Sequence, residues 1–172
     1  EGGPVLDLAA GGGRHGRYFL ERGHPVTLVE RQTEALLDLA PDQRATVIQA
    51  DLEDGSPWPL NEKYAGVVVV NYLHRPLTEN LLESLEPGGL LIYETFARGN
   101  ENFSRPRNPD HLLKSGELLQ MVLGRLQVIA YEHGIREKCP LPGVIQRICA
   151  VNNLDQSVRE DREPQVLNLE PN

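Results

Sequence analysis

The sequence predicts one α/β domain with a mostly parallel sheet, and three observations lead to this. Over the first 51 residues, apolar strand patterns alternate with amphipathic helix patterns, which is typical of parallel strands joined by right-handed crossovers. The four valines at 67–70 indicate a central strand that is buried on both faces. The last two strand patterns are joined by a loop too short for a helical crossover, so this pair is expected to be antiparallel.

The predicted elements follow from periodicity and from the residues that stop them. Gly23 ends the first helix pattern, and Pro41 ends the second. Residues 52–62 contain Pro57 and Pro59, so we expect a loop in place of a third crossover helix. The predicted strands are 4–8, 25–29, 46–50, 64–71, 90–95, 126–132 and 144–151, the predicted helices are 14–22, 32–40, 77–85 and 112–123, and a tight turn is predicted at 86–89.

Composition limits the possible classes of protein. The chain of 172 residues carries 17 basic and 25 acidic side chains, for a net charge of −8. This balance disfavours a nucleic-acid partner, because phosphate contacts need clustered Lys and Arg. There is no apolar run of about 18 residues to suggest a membrane span, and no signal-peptide pattern occurs. We therefore expect a cytoplasmic protein with no membrane partner.

The sequence also indicates the extent of the domain. We expect residues 1–153 to form it and the polar residues 154–172 to form an extended or disordered tail. The first strand begins at about residue 4, so we expect natural residues to precede the chain. Cys139 and Cys149 have neither metal-site nor redox-motif spacing and are expected to be free thiols. Oligomeric state is not predicted.

A glycine-rich stretch at residues 5–16 combines a strand, a turn of small residues and the start of a helix. Small residues allow close backbone approach, and the helix start supplies free N–H groups, which suits a ligand with an anionic end. Gly11, Gly13 and Gly16 match the dinucleotide-binding fingerprint. The run from Asp7 to Gly13 equally resembles the first motif of class I S-adenosylmethionine (SAM)-dependent methyltransferases. A glycine turn without a ligand is the third alternative.

The rest of the chain resembles the class I methyltransferases over roughly residues 4–153. The resemblance implies a Rossmann-like, doubly wound, seven-stranded sheet in the order 3-2-1-4-5-7-6, with strand 7 antiparallel and helices on its flanks. It also implies roles for residues at strand ends. Glu30 would hold the ribose hydroxyls, Asp51 and Leu52 would contact the adenine, and Asn71 would follow strand four beside the cofactor.

The cofactor that the resemblance implies is SAM, with S-adenosylhomocysteine (SAH) as product and no metal. Ala9 stands where glycine is more frequent in the family, which the backbone tolerates if φ is negative. Glu30 would also suit NAD, whereas Asp51 favours SAM. A nicotinamide-dependent oxidoreductase or redox sensor and a catalytically silent SAM-binding module remain alternatives. The residues expected to bind the cofactor are Asp7, Ala9, Gly11, Gly13, Glu30, Asp51, Leu52 and Asn71.

Methyl transfer from SAM is an in-line displacement that depends mainly on proximity and orientation. A soft nucleophile needs no strong base, whereas an oxygen or amine nucleophile can use one. We expect His74, Tyr72 and Glu94 to lie near the methyl group, with His74 as the candidate base. Equally, His74 could cap the next helix or pack beside Pro76.

The segment 93–109 is similar to small bacterial methyltransferases of the tellurite-resistance type, which are described as acting on chalcogen oxyanions or other small substrates. It contains Phe96, Arg98, Arg105 and Arg107, which we expect to contact the substrate. The prolines and Gly99 would shape a lid, and the arginines could bind an anion. A solvated loop is the alternative.

The residues after strand four also restrict the substrate. They are Asn71-Tyr72-Leu73-His74 and not the Asn-Pro-Pro-Tyr of methyltransferases that act on DNA bases or glutamine. We therefore expect a small-molecule acceptor, either anionic or a soft nucleophile, and no nucleic acid.

Overall fold

The computed structural model describes residues 2–137, 142–154, 160–161 and 163–167. Within them, seven strands form one sheet in the order β3-β2-β1-β4-β5-β7-β6, which confirms the predicted fold class. The first five strands pair in parallel, and β7 runs antiparallel to both of its neighbours. The strands are β1 Val5–Leu8, β2 Val26–Glu30, β3 Ala45–Gln49, β4 Tyr64–Val70, β5 Leu85–Phe96, β6 Gln127–Arg136 and β7 Gly143–Val151.

The helices are fewer and shorter than the sequence predicts. They are α1 Arg14–Glu21, α2 Thr78–Glu83 and α3 Glu117–Val122, with 3₁₀ helices at Glu34–Leu39, Arg75–Leu77, Asn100–Asn102 and Pro109–His111. The prediction of a helix at 112–123 was too long. Leu113 forms an extended bridge with Ala97, and the helix begins only after Gly116, whose φ is 73°.

The predicted turn at 86–89 lies inside β5 rather than before it. Leu85 pairs with Tyr64 and Leu90 pairs with Gly66, so the four residues between them leave the ladder. No helix occurs in 50–63, as the prolines predicted. The hairpin loop at 138–141, which contains Cys139, and most of the predicted tail lie outside the described residues. No helix in the described residues is long and apolar enough to cross a membrane.

Two apolar clusters hold the two faces of the sheet. On one face, α1 and the 3₁₀ helix at Glu34–Leu39 cover β1, β2 and β4. On the other, α2 and α3 pack over β1, β4, β5 and β7. Successive valines of β4 enter opposite clusters, as the valine run predicted. This burial fixes the strands, so the residues that follow β1 to β4 gather at one edge of the sheet.

A buried glutamine joins α3 to the terminal hairpin. The side chain of Gln146 on β7 is inaccessible to solvent. Its Oε1 accepts hydrogen bonds from the Leu118 backbone N–H at 3.2 Å and the Tyr131 hydroxyl at 3.1 Å, and its Nε2 donates to the Lys114 carbonyl at 2.6 Å. Buried polar groups need such partners, so this side chain locks three segments together.

We predict that Gln146→Leu lowers the free energy of unfolding by about 2–4 kcal/mol, because one buried and two partly buried groups lose their partner. Urea denaturation followed by circular dichroism measures this. Gln120→Leu, at an exposed position of α3, is the matched control and should change stability by less than about 0.5 kcal/mol. Equal effects of the two substitutions would contradict the role of Gln146.

Candidate functional site

The residues that follow four parallel strands meet around one cavity. Its volume is about 220 Å³, and it opens at the carboxyl edge of the sheet, where ligands bind in folds of this kind. Four residues predicted to bind the cofactor line it, together with Tyr72, which was predicted to be catalytic. The lining residues are Ala9, Glu30, Arg31, Ala50, Asp51, Leu52, Glu53 and Tyr72.

The turn after β1 reaches this cavity through Ala9, while Gly11 and Gly13 do not line it. The Gly13 N–H donates to the Ala10 carbonyl at 2.9 Å, which closes the turn. Gly13 has a φ of 72°, and a Cβ there would lie 2.6 Å from a methyl carbon of Leu36, so both conformation and space require glycine. Ala9 does not meet the condition of a negative φ under which alanine would be tolerated without strain. Its φ is 55°, in the left-handed region that favours glycine.

Glu30, at the end of β2, ties this turn to the neighbouring strand. Its Oε2 accepts a hydrogen bond from the Gly11 backbone N–H at 2.8 Å, and its Oε1 accepts one from the Gln32 N–H at 3.2 Å. A carboxylate has about four acceptor positions, so two remain for ligand hydroxyl groups. The turn and the candidate ribose-binding residue are therefore one unit.

The lining of the cavity is acidic. Asp51 accepts a hydrogen bond from the Glu53 backbone N–H at 3.0 Å, and Arg31 lies 3.8 Å from its other oxygen. With Glu30, the lining holds three carboxylates and a single cation, Arg31. It suits a ligand with hydroxyl or amino donors or a positive charge, and it repels phosphate groups.

Asp7 lies beneath the turn with 1% of its surface exposed. Its Oδ2 accepts a hydrogen bond from the Gly16 backbone N–H at 2.8 Å. A Cβ at Gly16 would lie 3.3 Å from that oxygen and 2.6 Å from a carbon of Leu28, so a side chain there would crowd the contact. Burial raises the pKa of Asp7 to about 6, although the Gly16 hydrogen bond opposes this. The carboxyl group thus accepts a hydrogen bond from an N–H group in the first turn of α1, to which a pyrophosphate would otherwise bind.

Two of the three predicted catalytic residues come together, and the third does not. His74 and Tyr72 line a smaller, mainly apolar cavity with Tyr93, and Tyr72 also lines the 220 Å³ cavity. Glu94 follows Tyr93 in β5, and successive strand residues point to opposite faces. Its carboxylate bonds Arg136 at 2.7 Å, apart from both cavities.

The loop after β5 is anchored, although the sequence suggested a lid. The Ala97 N–H donates to the Val144 carbonyl at 2.9 Å, and the Arg98 N–H donates to Leu113 at the same distance. Buried Asn100 donates to two carbonyls of its own loop, at 3.3 and 3.1 Å. These contacts hold residues 97–100 in place.

None of the predicted substrate-contacting residues lines the 220 Å³ cavity. The side chains of Arg98, Arg105 and Arg107 are exposed and make no hydrogen bond or ion pair with the described residues. Phe96 lies with its ring centroid 6.0 Å from the Arg136 guanidinium carbon. The loop therefore offers positive charge to solvent.

Sequence reasoning missed three residues around the site. Arg31 and Glu53 directly follow predicted residues at strand ends, so the same positional signal could have found them. Arg75 bonds Glu117 through two nitrogens, at 2.5 and 3.1 Å, and donates to the carbonyl of Asp110 at 2.6 Å. It fixes the segment after β4 to the loop after β5, and no local pattern could have revealed a contact 42 residues away.

We predict that Asp7→Asn changes how stability depends on pH. The Asp7 carboxyl titrates near pH 6 in the folded chain and near its ordinary value of 3.8 when unfolded. Between these values the folded state binds more protons, so the contribution of Asp7 to stability falls as the pH rises. The unfolding free energy of the wild type minus that of the variant should fall by roughly 3 kcal/mol between about pH 3 and pH 7.

Urea denaturation across this pH range tests the prediction. Asp38→Asn is the control of opposite sign, because a hydrogen bond from Arg17 lowers the pKa of exposed Asp38. Its contribution to stability should be lost as the pH falls. A difference for Asp7→Asn that does not change with pH would contradict the assignment.

No protein-family model and no curated protein sequence matches the chain. Solved structures, however, resemble it closely in fold. TehB from Haemophilus influenzae superposes with a TM-score of 0.72 at 16% identity over 87% of this chain. The chain spans 57% of the length of that TehB chain.

Two further structures are methyltransferases solved with the demethylated product of SAM. The 1,6-didemethyltoxoflavin-N1-methyltransferase of Burkholderia thailandensis, with bound 1,6-didemethyltoxoflavin and SAH, has a TM-score of 0.64 at 20% identity, covering 87% of this chain and 71% of that chain. The glycopeptide N-methyltransferase MtfA, complexed with SAH, has a TM-score of 0.61 at 23% identity, covering 88% and 83%. The chain therefore has the fold of the SAM-dependent methyltransferases.

Proposed function

We propose that the chain binds SAM in the cavity at the sheet edge and transfers its methyl group to a small-molecule acceptor. The observation that carries this proposal is the meeting of Glu30, Asp51 and Ala9, the first residue of the turn after β1, around one cavity. The methyltransferases that share the fold, two of them solved with SAH, support it.

The chemistry of the lining fits SAM better than NAD. SAM brings ribose hydroxyls and an adenine amino group as donors, together with a sulfonium and an ammonium charge. Three carboxylates and one arginine complement those groups. The pyrophosphate of NAD would meet the same carboxylates, and the Gly16 N–H is already bonded to Asp7. The hydrogen bond between Gly16 and Asp7 and the negative charge of the lining disfavour the oxidoreductase alternative.

Bound SAM supplies an electrophilic methyl group, so the task of the protein is to position the reactants. Glu30 holds the ribose hydroxyls while its other bonds keep the turn in place, and Asp51 accepts from the adenine amino group. The turn itself, from Ala9 to Gly13, faces the methionine end. Asn71, whose φ is 58°, redirects the chain after β4 beside that end.

The acceptor in this proposal is a small anion or a soft nucleophile. Exposed Arg98, Arg105 and Arg107 can attract an anion, and Phe96 can contact it beside Arg136. A thiolate or a reduced chalcogen needs no base. For an oxygen or amine acceptor, His74 is the candidate base, acting from the cavity next to that of the cofactor.

A silent SAM-binding module is the second candidate function. The observation that favours it is that Glu94, which pairs with Arg136, does not join His74 and Tyr72. SAM or SAH binding without transfer to any acceptor in a broad panel would support this candidate over the enzyme.

We predict that SAH raises the melting temperature of the protein and that NAD does not. Glu30→Gln and Asp51→Asn should each weaken SAH binding by about 10- to 100-fold, because each replaces a charged acceptor with a neutral one. Isothermal titration calorimetry measures the affinity. Glu21→Gln, at an exposed position at the end of α1, is the matched control and should leave binding unchanged. Stabilisation by NAD with no response to SAH would overturn the proposal.

We predict that the double variant Arg105→Ala, Arg107→Ala raises KM for an anionic acceptor by about 5- to 20-fold. The affinity for SAH should not change, because neither arginine lines the cofactor cavity. The acceptor is first found by screening thiols, tellurite, selenite and small carboxylates with radiolabelled SAM. Arg22→Ala, at the far end of α1, is the control. An equal rise in KM for a neutral acceptor would show that the arginines do not select by charge.

A further inference from the structure

Tyr72 has a buried hydroxyl group that has no partner at hydrogen-bonding distance and angle within the described part of the chain, although the Glu53 carboxylate lies close to it. A buried donor without a partner is unusual in a folded protein, and here it lies beside the candidate cofactor cavity. We propose that the Tyr72 hydroxyl donates a hydrogen bond to an acceptor atom of the bound nucleoside, either a ring nitrogen or the ribose ring oxygen. This inference rests on the proposed function, and it makes Tyr72 a cofactor-selecting residue rather than a catalytic one.

The backbone holds Tyr72 in a defined place. The preceding residue, Asn71, has a φ of 58° and donates its N–H to the Glu94 carbonyl at 2.9 Å. The Tyr72 carbonyl accepts a hydrogen bond from the hydroxyl of buried Tyr93, also at 2.9 Å. Both contacts join the turn after β4 to β5, so the Tyr72 side chain starts from a fixed point.

Tyr72 lines two cavities. One is the acidic cavity of about 220 Å³, and the other is the apolar cavity that contains His74. Charged groups close to the hydroxyl show which cavity it faces. Those that act on its ionisation are Glu53, Asp51 and Arg31, and all three line the acidic cavity. The hydroxyl end of the ring therefore lies on the cofactor side.

The same surroundings keep the hydroxyl protonated. Burial raises the pKa of Tyr72 well above its ordinary value, and the carboxylates of Glu53 and Asp51 raise it further, while Arg31 opposes them. A phenol in this environment can donate a hydrogen bond at neutral pH but cannot act as a base. Tyr72 is therefore not a candidate base.

The cavity needs such a donor. Its carboxylates can accept from the hydroxyl and amino groups of a nucleoside, but they cannot satisfy its ring nitrogens or the ribose ring oxygen. Arg31 and Tyr72 are the side-chain donors in the lining that the structure describes, and Arg31 lies beside Asp51. The unpaired Tyr72 hydroxyl therefore complements the carboxylates.

The test compares Tyr72→Phe with the wild type in SAH binding, by calorimetry, and in melting temperature without ligand. We expect a 5- to 30-fold weaker affinity, about the value of one buried hydrogen bond. We also expect an unchanged or higher melting temperature, because the variant loses an unpaired buried hydroxyl. Tyr18→Phe, at a half-exposed position of α1, is the matched control and should change neither measurement.

SAH analogues then identify the acceptor atom. Each analogue replaces N1, N3 or N7 of the adenine with a CH group, or the ribose ring oxygen with CH₂. One analogue should bind the wild type more weakly than SAH does and should bind Tyr72→Phe as well as SAH does. The other analogues should show the same loss with both proteins. If no analogue shows this coupling, the proposal is overturned.

Glu53→Gln separates the proposal from a purely internal bond between Tyr72 and Glu53. If Tyr72→Phe and Glu53→Gln lower the melting temperature alike, and Tyr72→Phe leaves SAH affinity unchanged, the hydroxyl serves Glu53 and the proposal is wrong. If the wild type binds SAH but Tyr72→Phe binds equally well, only this inference fails. If the wild type does not bind SAH at all, the proposed function fails and the inference with it.

Discussion

The hydrogen bond between the buried Asp7 carboxyl and the Gly16 N–H is the contact on which the site depends. It joins the end of β1 to the first turn of α1, and the glycine turn between them is held in the shape that this bond allows. Charge in a buried place is costly, which is why the pKa of Asp7 is raised. The free-energy cost of burying Asp7 occurs where β1, the glycine turn and α1 must keep one geometry.

From that point the site is built outward by backbone contacts. Glu30 bonds the Gly11 N–H, so β2 is attached to the same turn that β1 carries. Asp51 and Tyr72 follow β3 and β4, and they lie at the same edge of the sheet because parallel strands end there. Arg75 then connects the segment after β4 with the loop after β5 through Glu117. Every wall of the cavity therefore continues a strand that the core immobilises.

Much of this could be predicted from the sequence, because it depends on patterns that are local. The strands and the polar residues at their ends follow from periodicity and from the residues that stop each element. The order of the strands follows from the family resemblance. The helices were less predictable. Residues 112–116 carry a helical pattern, yet Leu113 pairs with Ala97, and a tertiary contact overrides propensity.

Side-chain direction was the second limit of sequence reasoning. Glu94 lies near the end of β5 and His74 follows β4 at the same edge, but the two side chains have different surroundings. Alternation along β5 predicts that the side chains of Tyr93 and Glu94 point to opposite faces of the sheet. Which of the two faces the candidate site depends on the register with β7. Buried Gln146, with its three partners, gave no signal at all.

The anchored start of the loop after β5 affects what ligand binding would cost. Residues 97–100 already form hydrogen bonds with Val144, with Leu113 and with carbonyl groups of their own loop. A ligand that binds against this segment therefore does not have to offset the entropy of ordering it. Order that is present before binding favours affinity without any additional contact.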